Sequence, residues 1–325
     1  MILAAVVIGV YPSYPPVGPL ENRSPREQAQ HLKSIGVNMA GGIFKDRAIP
    51  DALREAGIRT FGLVVLFQGE EHWKAHPESR PIMADGQPLF KDRWYAGVCP
   101  NQDWLRKQKL AEIEGMLRSG WYDVINLDFI RYPVHWEVPN PRIPDTCYCA
   151  VCLRKFRADT GVGKPADDPA RWRRWRAEQI TKFCEDVKML RDRIRPATLI
   201  SLAAVPWQPE DYDNAIYNIV AQDFRSLARV IDVFQPMSYH ALNGRPVEWI
   251  GEINTYLARE TGKSLWPFVI FSDEHPLKEA EWRAVFTQAL ANGASGLIAF
   301  PFPKVSTSSG FASFREFVSA RLQAQ

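Results

Sequence analysis

Short apolar runs alternate with amphipathic stretches along the whole chain. Eight runs carry the length and β-branched or aromatic content of buried strands: 3–11, 37–44, 59–67, 122–129, 198–205, 230–237, 265–271 and 296–300. Between them the apolar positions recur at helical spacing, over 26–34 (ended by Gly36), 51–56, 104–117 (ended by Gly120) and a final stretch 311–322. A Trp-rich helix begins near residue 169, with Trp172, Trp175, Phe183, Val187 and Leu190 on one face and Arg171, Arg173, Arg174 and Arg176 around them. Strands that alternate with helices predict a parallel sheet, and eight of each predict a closed (β/α)8 barrel formed by one domain, residues 1–325. A doubly wound open sheet fits less well. Its Gly-rich phosphate loop should follow the first strand, where this chain reads Tyr11-Pro-Ser-Tyr-Pro-Pro. Two connections, 68–101 and 134–169, are too long to be simple links and are expected to carry function.

In (β/α)8 barrels the site forms where the strands end, so the residues just past each run carry the functional signal. Asn126-Leu-Asp-Phe-Ile-Arg-Tyr-Pro133 takes an apolar strand directly into a carboxylate, an arginine and a tyrosine. Strand one is followed by Tyr11, strand three by Gln68, Glu70, Glu71, His72 and Trp73, and strand five by Trp207, Glu210 and Asp211. Strand six ends with Gln235, Tyr239 and His240, and strand seven with Asp273 and Glu274. Carboxylates mixed with aromatics are what glycosidic bond cleavage needs, since two acids must flank the bond while flat rings hold the sugars. Asp128 is the expected catalytic carboxylate. Glu210 and Asp211 are the first choice for the partner acid, Asp273 and Glu274 the second, and Glu137 the third. Arg131 is expected either to hold Asp128 ionised by lowering its pKa or to form a structural pair with it. Substrate is expected to meet Tyr11, Arg131, Tyr132, Trp207, Gln235, Tyr239, His240 and Asp273, with Trp94, Trp136 and Trp207 as stacking platforms. Two other readings stay open: a barrel that binds carbohydrate without cleaving it, and a metal-dependent lyase or hydrolase.

Composition narrows the field a little. A net charge of +3 in 325 residues does not suggest nucleic acid or an acidic membrane surface, and the carbohydrate reading expects neither as a partner. No run approaches the roughly 20 apolar residues of a membrane span. The apolar start lacks a basic leader segment, so a cytoplasmic protein is expected from the chain as given, or an exported one if a signal peptide has been removed. Eleven Trp and ten Tyr supply many flat faces for sugar stacking.

The strand-four motif L-D-F-I-R-Y-P resembles the barrel glycoside hydrolases of the α-galactosidase and α-fucosidase superfamily. It is most similar to their glycosyl-hydrolase-like groups, which share a D-x-x-R-[YF]-P ending. Cys99-Pro-Asn101, the loop His76-Pro-Glu-Ser and Asp85-Gly86 also resemble those groups. The resemblance implies a retaining glycosidase with Asp128 as nucleophile. Met237-Ser-Tyr239 is similar to the strand-six ending of family 18 chitinases, but Ile130 stands where those enzymes carry their acid glutamate.

The cysteines give a separate signal. Cys147, Cys149 and Cys152 fall within six residues, and Cys99 is the natural fourth member of a tetrahedral thiolate set. The C-x-C-x2-C spacing resembles the structural zinc site of family 42 β-galactosidases, which implies a structural zinc here; no cofactor is expected for catalysis. Cys184 lies on a helical apolar stripe and reads as a buried thiol.

Overall fold

The computed structural model describes residues 6–12, 18–271, 277–302 and 310–323. Among them are nine parallel strands in one sheet: β1 (Val7–Val10), β2 (Met39–Gly41), β3 (Arg59–Val65), β4 (Val124–Asp128), β5 (Leu199–Ala204), β6 (Val233–Pro236), β7 (Ser264–Leu265), β8 (Phe268–Ile270) and β9 (Gly296–Phe300). They are ordered β7-β6-β5-β4-β3-β2-β1-β9-β8. The predicted seventh strand is thus two short pieces. Pro267 explains the break, because it has no N–H to give to a ladder. Ser264 and Leu265 pair with β6, whereas Phe268 to Ile270 pair with β9. A parallel bridge between Met237 and Phe268, with Ser238 N–H donating to the Phe268 carbonyl at 3.1 Å, joins β6 to β8 and closes the α/β barrel.

The longer helices pack outside, with an apolar face inward. The longest, Pro169–Ile194, buries Trp172, Trp175, Phe183, Cys184 and Val187. Asp103–Ser119 packs beside it and ends at Gly120, whose φ of +68° suits glycine. Both long loops also hold helices that the pattern of residues did not predict, Glu70–Ala75 and Ala150–Thr160. Neither carries a long apolar stripe: the first buries no residue and the second only Cys152 and Phe156. No helix among the described residues is long and apolar enough to cross a membrane.

Inside the barrel, Asn126 donates to Ser201 Oγ (3.1 Å) and to Gln235 Oε1, so one amide links buried polar groups of β4, β5 and β6. Gly41 marks the tightest packing nearby. A Cβ there would lie 2.2 Å from Cζ of Phe61, whose ring in turn meets Tyr11 at 5.7 Å. Gly41→Ala is expected to cost roughly 1–3 kcal/mol, as overpacked cores do. Denaturant unfolding checks this, and Phe61→Leu in the same chain should recover part of the loss, because the two sites share one contact.

Candidate active site and a four-cysteine cluster

A cavity of about 700 Å³ opens at the ends of the strands. Leu63, Ala203, Met237, Phe268, Ile270 and Phe300 give it an apolar floor. Asp128, Glu137, Tyr239, His135 and the Arg93–Trp94 pair bring its polarity. Asp128 is placed by the last residue of β4, and its Oδ1 accepts the Phe129 N–H at 2.7 Å. Phe129 takes φ +53°, which is rare for a bulky side chain and turns the chain sharply as it leaves the strand. Glu137 arrives from the following segment, with its side chain only 13% exposed.

Burial in these apolar walls dominates the electrostatics. It pushes the Asp128 carboxyl above its ordinary value, against the Arg131 guanidinium and the Phe129 N–H. Of the two roles the sequence offered for Arg131, lowering the Asp128 pKa is outweighed here by desolvation. Glu137 is pushed up to about 7, by burial first, with Arg131 opposing and the Asp128 charge adding to the rise. The Asp128 charge thus enters the rise of Glu137, whereas no Glu137 charge enters that of Asp128. Tyr239 is raised far up by burial and by both acids, and Tyr11 is raised to about 12, so both phenols keep their protons. Arg131 is buried and lies over the Phe129 ring at 4.6 Å.

The other predicted residues go elsewhere. Glu210 is exposed on a turn past β5 and acts on Tyr256, outside the cavity. Asp211 is engaged by Arg245 at 2.6 Å and by the Gln208 N–H at 2.9 Å. The chain folds back there, with Trp207 buried and Tyr212, Asp213 and Asn214 all at positive φ, so these two acids are not brought to Asp128. Tyr132 is buried and accepts from Asn101 Nδ2 at 2.8 Å, and Gln235 stays in the barrel network. His240 faces Glu281 and Glu248. Trp136 is buried, stacked on Tyr239 at 5.6 Å, which leaves Trp94 (52% exposed) as the one predicted platform open to a ligand. Asp273 and Glu274 lie outside the described residues.

The structure adds Asp92 and His135, which sequence reasoning missed. A usable signal was present. In Val134-His-Trp-Glu137 the two polar residues alternate with apolar ones, so an extended chain sends both to the same side.

Below the rim, the sulfurs of Cys99, Cys147, Cys149 and Cys152 all lie within 4.8 Å of one another and are buried. Cys99 Sγ is 3.4 Å from that of Cys152 and 3.7 Å from that of Cys149. Four ligands about 2.3 Å from one tetrahedral ion would sit roughly 3.8 Å apart, so the set can hold a metal ion. Burial pushes the Cys99 and Cys152 thiols up, while hydrogen bonds from its neighbours pull Cys149 down. Asn101 Nδ2 also reaches Cys152 Sγ at 3.3 Å. One amide thus ties the cluster to Tyr132, four residues past Asp128.

No protein-family model and no curated protein sequence matches the chain. Solved structures do match it. A β-galactosidase from the Antarctic haloarchaeon Halorubrum lacusprofundi aligns with a TM-score of 0.73 at 12% identity, over 97% of this chain and 58% of that one. The PgaB (BpsB) glycoside hydrolase domain from Bordetella bronchiseptica gives 0.71 at 12% identity, over 96% and 99%. A catalytic mutant of Gan42B, a GH42 β-galactosidase from G. stearothermophilus, gives 0.68 at 13%, over 97% and 56%. This chain therefore spans little more than half of either galactosidase and nearly all of the BpsB domain. At such identities the likeness establishes the fold alone, an α/β barrel.

Glu137 carries a testable consequence for stability. Its carboxyl is raised from 4.5 when unfolded to about 7 when folded. The folded state thus holds its proton more tightly, and this site favours folding less as pH rises from 4.5 through 7. The loss is on the order of 3 kcal/mol. Denaturant unfolding at pH 5 and pH 8 should show a smaller pH-dependent loss in Glu137→Gln than in wild type.

Proposed function

We propose that this protein is a glycoside hydrolase in which Asp128 acts as the nucleophile and Glu137 as the general acid. The observation that carries this reading is the pairing of two carboxylates in one apolar cavity, with Glu137 pushed up to about 7 by burial and by the Asp128 charge. Unlike environments for two neighbouring acids are how one fold supplies an acid and an anion at the same pH. In the proposed reaction Glu137 gives its proton to the leaving glycosidic oxygen, while the Asp128 carboxylate attacks the anomeric carbon. Water then releases the sugar, returning a proton to Glu137. The Tyr239 and Tyr11 hydroxyls are donors near the developing charge, and Trp94 offers an indole face at the mouth for a sugar ring. The similar solved structures are of glycosidases, which supports the same reading.

A screen of aryl glycosides and natural oligosaccharides tests it. Wild type should turn over at least one, and Asp128→Asn and Glu137→Gln should each lose 10³-fold or more, on the order of the loss when a nucleophile or its partner is removed. Sugar binding without turnover by wild type would overturn the catalytic reading in favour of a binding barrel. Activity should fall as pH rises above about 7, where Glu137 loses its proton. Trp94→Ala should raise KM about tenfold and leave kcat within about twofold, as expected of a group that binds ground and transition states alike.

The four-cysteine set is proposed to hold a structural zinc. The residues fit the ion: four buried sulfurs at tetrahedral spacing, with Asn101 on one of them. Bound there, zinc would supply a closed thiolate clamp between Cys99 and the loop that follows Glu137. The purified protein should carry about one zinc per chain, and Cys152→Ser should lower both metal content and melting temperature. A metal-free protein whose thiols react freely would contradict the assignment.

A further inference from the structure

His135 is sealed in the cavity wall between two carboxylates. Its Nδ1 lies 3.5 Å from Asp92 Oδ2 and its Nε2 3.9 Å from Glu137 Oε2. The ring is 4% exposed, stacked on Tyr95 at 5.9 Å and 17°, and edge-on to Trp94 at 5.2 Å. Among the described residues, neither His135 Nδ1 nor Glu137 Oε2 has any partner within hydrogen-bond geometry, so each is a buried polar atom left facing only the other members of this array. Asp92 is held by a two-residue hairpin, donating its N–H to Tyr95 O at 3.0 Å and accepting that of Tyr95 at 2.9 Å. The partially exposed Asp92 (24%) thus faces one side of an imidazole whose other side faces the buried acid.

We propose that Asp92 and His135 are positioning residues for Glu137: Asp92 fixes the Nδ1–H tautomer of His135, and the free Nε2 accepts the hydrogen bond of the protonated Glu137 carboxyl. This deepens the glycosidase reading and rests on it for its use, although the array itself does not. The imidazole is neutral near pH 7, because burial holds its pKa below the ordinary value, with Arg93 and Arg131 opposing the Asp92 carboxylate. A neutral imidazole has one donor and one acceptor, and a carboxylate at Nδ1 decides which nitrogen is which. The other charges around Glu137 are Arg131 and Asp128 from the end of β4, with Tyr95 from the hairpin and Tyr239 from the β6 loop. Both separations, 3.5 Å at Nδ1 and 3.9 Å at Nε2, fall outside hydrogen-bond geometry, as catalytic contacts often do before substrate closes the site.

The test is nitrogen-15 NMR of the histidine side chains from pH 5 to 9, in wild type, Glu137→Gln and Asp92→Asn. His135 should show a protonated Nδ1 and an unprotonated Nε2. Its Nε2 signal should move as Glu137 titrates near pH 7, and that step should vanish in Glu137→Gln. Asp92→Asn should mix the two tautomers. A protonated Nε2 throughout, or a signal indifferent to Glu137→Gln, overturns the proposal. In turnover, His135→Phe should move the alkaline limb down by about one unit, as loss of a hydrogen bond to the neutral acid would. His135→Gln, whose amide oxygen accepts the same bond, should restore the limb. An unmoved limb in His135→Phe would overturn the proposal. If no glycoside is turned over at all, the nitrogen-15 titration still decides whether the array exists, so failure of the enzyme reading and failure of this one remain distinct.

Discussion

Burying two carboxylates side by side in apolar walls is the constraint around which this end of the barrel is organised. Each charge is expensive there, and the two repel, so they cannot ionise together at low cost. Arg131 eases both, the Phe129 N–H eases Asp128, and the Asp128 charge then makes Glu137 the group that keeps its proton. The strained turn at Phe129 and the paired polar residues at 135 and 137 follow from the need to bring both acids to one cavity within ten residues of chain.

That short path has to be held. The segment after β4 leaves Asp128, passes Arg131 and Glu137, and returns to the cysteines at 147–152. Tyr132 is pinned to Asn101, Asn101 to Cys152, and Arg176 joins Asp145 to Asn218 at 2.5 and 2.6 Å while lying over the Tyr132 ring. A metal on the four sulfurs would close the remaining end. The cluster and the acids are then one construction: the first fixes the loop on which the second depends.

Much of the barrel was legible in the sequence, because buried parallel strands are continuous apolar runs that need no partner to be recognised. The strand at 296–300 was placed to the residue, and three of the four cysteines came from their spacing, with Cys99 added as the fourth ligand that a tetrahedral set needs. The break at Pro267 was also visible, but the apolar run around it hid the change of partner. The helices inside the long loops were not legible, since Glu70–Ala75 buries nothing that would mark a face. At the site, Asp128 and Tyr239 were found because they end strands. Glu210 and Asp211 were preferred on the same ground, yet the backbone past β5 turns away through three left-handed residues. Glu137 and His135 sit well beyond their strand, so a rule that looks only at strand ends undervalues them. The tug between Arg131 and burial at Asp128 depends on how much water reaches the carboxyl, which only the folded walls determine.

The most direct test of the account is a carbon-13 titration of the Asp and Glu side-chain carboxyls, assigned through Asp128→Asn and Glu137→Gln. Two separate midpoints are predicted, with Glu137 near 7 and Asp128 below it, and with the Glu137 midpoint falling when Asp128 is neutralised. Coincident midpoints in the ordinary carboxylate range, or a Glu137 midpoint indifferent to Asp128→Asn, would contradict the claim that these two acids form an unlike pair.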